Sequence, residues 1–129
     1  MNNIITLFTE EVLDSCHHLE EYVGACSNKH GHSWLIKIWI QGNDNQKDKV
    51  GILFDFGNIK KIKTLLDHTD INNVLVNENP TAENISKFII TYLCGYNQDL
   101  DYRVRVYETA VLKETYAQRQ TDGFSVEFL

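Results

Sequence analysis

The sequence predicts an α+β fold, an antiparallel β-sheet with two helices packed on one of its faces. Three observations predict it. Residues 33–41 alternate, with Trp34, Ile36, Ile38 and Ile40 on one face and Lys37 and Gln41 on the other, the period of a strand half-buried against a core. Two stretches of helical period then follow one another, and after Gly95 the period returns to two. Helices grouped between strands give the order ββ(β)ααββ(β), which points to an antiparallel sheet.

Residues 3–10 are the expected first strand, placed to pair with 33–41. The polar run 42–49 reads as a hairpin loop too short to separate domains, and the β-branched, apolar run 50–54 as a short returning strand. Asp55 is a good helix cap, and Phe56, Ile59, Ile62, Leu65 and Leu66 recur at spacings of three and four, which makes the first helix. Asn79-Pro80-Thr81 is a helix start; Ile85, Phe88, Ile89, Tyr92 and Leu93 line one face of the second helix, and Gly95 is its stop. Tyr102, Val104, Val106 and Glu108 then share one strand face, and Arg103, Arg105 and Tyr107 the other. Residues 110–129 are expected to add one or two strands, since Phe124, Val126 and Phe128 alternate.

With 129 residues, 43% of them apolar, and only 1 Pro and 7 Gly, the chain reads as one ordered domain, 1–129. A chain of this size forms one modest core, so a deep pocket is expected to be shared between subunits of an oligomer. The 12 Lys and Arg against 18 Asp and Glu leave a net charge of −6, which argues against nucleic acid or an anionic membrane as partner. No apolar run approaches the roughly 20 residues that span a bilayer, and residues 1–8 lack a leader pattern, so a cytoplasmic protein is expected. Cys16, Cys26 and Cys94 are an odd set without Cys-x-x-Cys spacing; free thiols suit a reducing compartment.

Four of the 5 histidines lie between His17 and His32. His30 and His32 are two apart at the mouth of a strand, so both imidazoles can reach one ion, and Gly31 removes a side chain from between them. His17 or His18 can supply a third ligand if the first two strands form a hairpin. Three histidines without a thiolate leave a position open, the arrangement of a catalytic zinc; the plainer alternative is a solvated histidine pair. Cys26, four residues before His30, is a candidate nucleophile or base, or else an ordinary free thiol. Asp67 and His68 are a candidate proton relay, or a charged pair at a helix end. Glu108 continues an apolar strand face, so its carboxylate is partly buried, opens into a cavity or turns to water. Facing a cavity, it can accept two hydrogen bonds from an amidine-like ring edge such as that of a pterin or guanine.

These residues fall into five motifs: Cys26-Ser27-Asn28-Lys29-His30-Gly31-His32-Ser33; Asp55-Phe56 after Gly51; Leu66-Asp67-His68 followed by Asn72; Asn79-Pro80-Thr81-Ala82-Glu83-Asn84; and Glu108-Thr109. In that order they resemble the 6-pyruvoyl-tetrahydropterin synthase family over about residues 8–116. The resemblance implies the tunnelling fold, in which subunit sheets join into a barrel, commonly a hexamer, with active sites between subunits. It implies Zn²⁺ on His17, His30 and His32, with His18 in the variable position of His17-His18-Leu19. It further implies Cys26 as the catalytic thiol, Asp67 and His68 as the proton relay, and Glu108 as the pterin anchor and a member of that relay. The three residues between Cys26 and His30 resemble the bacterial 6-carboxy-5,6,7,8-tetrahydropterin synthases of queuosine biosynthesis, whose substrate is 7,8-dihydroneopterin triphosphate; the 6-pyruvoyl enzymes carry five. Two alternatives stand beside that reading: a 6-pyruvoyl-tetrahydropterin synthase, and a non-catalytic zinc- or pterin-binding protein of the same fold. Trp34, Tyr107 and a longer carboxyl end depart from the family pattern, and Lys29 and Arg103 are the candidate triphosphate partners.

Overall fold

The computed structural model describes residues 3–129; Met1 and Asn2, which open the expected domain and the segment scanned for a leader, lie outside the described residues. The chain forms β1 (Ile4–His17), β2 (His30–Asn43), α1 (Gly57–Leu66), α2 (Ala82–Tyr96), β3 (Asp101–Tyr107) and β4 (Ala117–Gln120). The strands lie in the order β1-β2-β3-β4, every neighbouring pair antiparallel. Leu13, Trp34, Ile36, Ile38, Ile40, Tyr102, Val104 and Val106 form one sheet face, and Ile59, Ile62 and Leu66 of α1 with Ile85, Ile89 and Leu93 of α2 pack on it. The predicted class, an antiparallel sheet with both helices on one face, is the class observed.

Several boundaries differ from expectation. β1 runs to His17 and not to residue 10, and β2 begins at His30. Polar residues hide this extension, because Ser15 and His17 occupy the inward positions beyond Leu13 and are 7% and 1% exposed. Residues 50–54 form no strand. The Asp48 carboxylate accepts from the Val50 and Ile52 N–H groups at 2.9 and 3.0 Å, taking the donors that a ladder would need. Leu53 and Phe54 are buried nonetheless. The run 42–49 continues β2 to Asn43 and then turns through a short 3₁₀ segment, Asp44–Gln46, held by a reciprocal Asn43–Gln46 capping box. Asp55 does act at the start of α1, accepting from Gly57 N–H at 2.8 Å, but Phe56 and Leu65 face outward. Gly95 does not stop α2, which continues to Tyr96.

At the carboxyl end β4 is followed by a 3₁₀ turn, Val126–Phe128, in place of a further strand. Phe124 is buried while Val126 and Phe128 are exposed, which one strand face would not allow. The tail closes over the end of the sheet: Gln41 exchanges two hydrogen bonds with the Ser125 backbone, and the Thr6 hydroxyl donates to the Phe128 carbonyl at 2.6 Å. Among the described residues no helix is long and apolar enough to cross a membrane.

Tyr102 joins the sheet to the end of α2. Its side chain is fully buried, and its hydroxyl lies 3.1 Å from the Leu93 carbonyl and 2.5 Å from that of Asn97. Burial pushes the phenol well above its ordinary pKa, so it stays a donor. Tyr102→Phe keeps the ring and removes the donor, and is expected to destabilise the fold by about 1–2 kcal/mol. Urea unfolding should show a lower midpoint at unchanged slope; an unchanged midpoint would mean that water satisfies both carbonyls.

Candidate active site and metal centre

Strand register builds the centre. His17, the last residue of β1, stands directly opposite His30, the first of β2, and His32 follows two residues on, opposite Ser15. Residues two apart in a strand share a face, so all three rings project to the helix side. Their centroids are 4.6 to 5.1 Å apart, and Trp34 packs edge-on against His17 and His32 beneath them. One ring nitrogen from each lies within 4.8 Å of the other two.

The hydrogen bonds on the far side of two rings decide their tautomers. His17 Nδ1 lies 2.8 Å from the Pro80 carbonyl, and His30 Nδ1 lies 2.7 Å from that of Asn28. A carbonyl only accepts, so both Nδ1 atoms carry the proton and both Nε2 atoms keep a lone pair. Those two Nε2 atoms face each other at 3.0 Å. His32 Nε2 is buried without a hydrogen-bond partner. Burial lowers the pKa of His17 and His32, which favours the neutral form that can ligate a cation. Lone pairs converging at this distance repel unless a cation stands between them. A tetrahedral ion with bonds of ~2.0–2.1 Å spaces its nitrogen ligands about 3.3 Å apart, so the donor set fits one.

His18 turns elsewhere. Its N–H donates to Asn72 Oδ1 at 2.9 Å, and Asn72 Nδ2 donates back to the His18 carbonyl at 3.1 Å. Gly31 does not separate the imidazoles; a Cβ there meets nothing within 4 Å, because an intervening strand residue points to the opposite face.

Asp67 follows α1 directly. Its Oδ1 accepts from the Asp14 N–H at 2.9 Å, while Oδ2 lies 3.6 Å from His68 Nε2. His68 adopts a φ of +53°, a left-handed conformation costly for a residue with a Cβ, and its N–H donates to the Asp14 carbonyl at 2.8 Å. Its imidazole is 77% exposed and borders an open groove together with His32, Cys16 and Asp70. Glu108 lies just beyond β3, with Oε2 4.0 Å from His32 Nε2, and it also borders an opening lined by Ala82, Val106 and Tyr116. Cys26 sits partly buried in a 3₁₀ turn, Ala25–Ser27. Its carbonyl accepts from the Leu19 N–H at 2.8 Å, and Lys29, in the same loop, pairs with Asp70 at 2.8 Å. Among the described residues no hydrogen bond or ion pair joins its thiol to the three histidines, Asp67 or His68. Lys29 is thus engaged by a carboxylate, and Arg103 lies on the sheet face opposite the histidines.

A family model described as 6-pyruvoyl tetrahydropterin synthase matches residues 6–119. The chain belongs to the 6-pyruvoyl tetrahydropterin synthase family. Its relatives include a 6-pyruvoyl tetrahydrobiopterin synthase of Dictyostelium discoideum, 28% identical over 84% of this chain and 93% of the relative. A 6-carboxy-5,6,7,8-tetrahydropterin synthase of Synechocystis is 28% identical over 85% of this chain and 91% of the relative, and one of Bacillus subtilis 33% identical over 63% and 59%. The solved 6-pyruvoyl tetrahydropterin synthase of Caenorhabditis elegans superposes with a TM-score of 0.72 at 20% identity, covering 93% of this chain and 97% of that one, a likeness of fold.

Sequence reasoning missed how this family member orients its histidines. Asn79-Pro80-Thr81 starts α2, with the Thr81 side chain accepting from Asn84 N–H at 3.1 Å, but Pro80 also supplies the acceptor for His17. Asn79 exchanges two hydrogen bonds of 2.9 Å with the Glu20 backbone. Only a carbonyl facing a ring reveals such a role, and a carbonyl has no residue-type signal. Single alanine variants test the centre: those of His17, His30 and His32 are each expected to lose bound metal in elemental analysis, whereas His18→Ala retains it. Metal lost from the His18 variant and kept in the His17 variant would reverse the assignment.

Proposed function

We propose that the protein is a zinc-dependent 6-carboxy-5,6,7,8-tetrahydropterin synthase, converting 7,8-dihydroneopterin triphosphate and water to 6-carboxytetrahydropterin with release of acetaldehyde and triphosphate. The observation that carries the reading is the convergence of three histidine nitrogens beside the Glu108 carboxylate, with His68 on the same groove as His32. The two fuller-length relatives carry different activities in their names at the same identity, so identity does not choose between them. The three-residue spacing from Cys26 to His30 favours the carboxy enzyme.

His17, His30 and His32 would hold the zinc, which would supply Lewis acidity toward the substrate's side-chain hydroxyls. Cys26 moves the carbon-bound proton. Asp67 is fixed through Oδ1 on the Asp14 N–H, which leaves Oδ2 to orient His68 as the second proton carrier. Glu108 accepts two hydrogen bonds from the pterin edge. We place the protein in the cytoplasm and its active sites between subunits of a hexameric barrel, as the family resemblance implies; among the described residues no hydrogen bond or ion pair joins the Cys26 thiol to the other groups.

Product analysis of the zinc-loaded protein with dihydroneopterin triphosphate tests the reading: acetaldehyde is expected, and a pyruvoyl product without acetaldehyde would assign the sister activity. Cys26→Ala should keep zinc and pterin binding while turnover falls by roughly 10²–10⁴-fold. Near-normal turnover would remove the thiol from the mechanism.

Glu108→Ala should weaken binding of a non-reacting pterin roughly tenfold or more, since bonds to a charged group contribute about 1.5–3 kcal/mol each. Glu108→Gln should recover only part of this, because its amide presents a donor where the ring also donates. Titration calorimetry measures both; wild-type affinity in the alanine variant would move the anchor elsewhere.

A further inference from the structure

The sheet face opposite the histidines carries a cationic cluster that the proposed chemistry leaves unused. Arg103 and Arg105, two apart in β3, project to this face; in register they neighbour Trp39 and Lys37 of β2, and Gln120 and Gln118 of β4. Both guanidiniums lie over aromatic rings. The Arg103 guanidinium carbon lies 5.7 Å from the Trp39 centroid and 5.0 Å from that of Phe124; that of Arg105 lies 5.1 Å from Trp39 and 4.5 Å from Tyr116. Each Nε donates to a glutamine, Arg103 to Gln120 at 3.0 Å and Arg105 to Gln118 at 2.6 Å. What remains are the Nη edges, which among the described residues have no hydrogen-bond acceptor.

The chain carries 18 carboxylates against 12 basic residues, yet among the described residues none lies within ion-pair distance of Arg103, Arg105 or Lys37. The carboxylates on this part of the face are Glu10, opposite Lys37, and Asp101, whose oxygen accepts from the Thr121 hydroxyl at 2.8 Å. Arg103 is only 6% exposed, and both its burial and the neighbouring Arg105 charge press against its charged form. Stacking attracts a cation but does not neutralise it. Two guanidiniums set over aromatic rings, with fixed Nε groups and free Nη edges, are therefore organised for a ligand that brings negative charge to those edges.

We propose that Arg103 and Arg105, with Lys37 beside them, form a polyphosphate-binding site separate from the histidine centre. Their Cα atoms are roughly 6–7 Å apart, a spacing that suits phosphoryl oxygens spread along a chain better than one carboxylate, which fills a single fork. The chemical class is a linear polyphosphate, either free or as the triphosphate that the proposed reaction releases; the second source rests on that reading, the site does not.

Calorimetric titration of the zinc-loaded protein with inorganic triphosphate, in the absence of pterin and with zinc content checked afterwards, tests the site. Wild-type protein is expected to bind with an affinity that falls as salt is raised. Arg105→Gln and Arg103→Lys should each weaken binding about tenfold or more, while His32→Ala leaves it unchanged. Arg105 is the less buried of the two, so its variant carries the test if Arg103→Lys does not fold. Absence of binding in the wild type would overturn the proposal, as would equal binding in folded arginine variants or loss in His32→Ala, which would place the anion on the metal. Arginine variants that change the oligomer's mass in light scattering but bind triphosphate normally would assign the pair to carboxylates of a second copy, and so overturn it too. An inactive wild-type protein that binds triphosphate through the arginines would overturn the reaction and keep the site.

Discussion

The antiparallel ladder between β1 and β2 is the constraint on which the rest depends. Each strand is 14 residues long and the pairing is continuous from Ile4 with Asn43 to His17 with His30. A slip of one residue would turn every side chain of a strand to the other face. It would take Leu13 out of the core and His17 away from His30 in one step. The apolar rows that begin at Leu13 and Trp34 therefore fix the histidines at the open end of the hairpin to the same register that they fix for themselves. The positions of the donors are a consequence of core packing.

A second set of contacts supports that end of the ladder. The segment after α1 runs along β1: Ser15 donates to the Leu66 carbonyl, Cys16 N–H donates to that of Thr69 at 3.1 Å, and His18 N–H reaches Asn72. These bonds satisfy an edge that would otherwise be open, and they bring Asp67 and His68 beside β1 without a strand to carry them. The positive φ at His68 is held by the same contacts, because its N–H and the Asp67 carboxylate both engage the Asp14 backbone. Support from the Pro80 and Asn28 carbonyls then aims two imidazoles at one point.

Much of this was legible in the sequence where side-chain type and periodicity agree. Trp34, Ile36, Ile38 and Ile40 announced β2, Tyr102, Val104 and Val106 announced β3, and His30 and His32 were readable as a pair because a strand puts alternate residues on one face. The second half of β1 was not, since inward Ser15 and His17 are polar and find acceptors in the Leu66 and Pro80 carbonyls that no local pattern discloses. Apolar content misled at residues 50–54, where the Asp48 side chain claims the backbone donors, and at Val126 and Phe128, where a turn replaces the alternation. Arg103 and Arg105 were visible as one strand face, but their stacking depends on Phe124 and Tyr116 arriving from the tail and the β3–β4 connection.

The fold treats its two kinds of chemical group differently. Nitrogens that could share an ion must be spaced to tenths of an ångström, and the three imidazoles stand on paired strands, two of them with the far ring nitrogen hydrogen-bonded. The thiol stands on the loop between those strands, which is tied near its ends by Asn79 to Glu20 and by Lys29 to Asp70. Between these ties the backbone passes through Glu21 at φ +62° and Gly24 at φ +148°, where a Cβ would come within 2.9 Å of the Tyr22 ring. Val23 is almost wholly exposed there. Among the described residues the bond that crosses the loop is that from the Leu19 N–H to the Cys26 carbonyl. Rigid strands thus set where the three imidazoles converge, whereas the Cys26 thiol is placed by a loop anchored at both ends, and a loop can be positioned by what packs against it. The three histidine nitrogens converge within one chain; the placement of Cys26 is what another surface can decide.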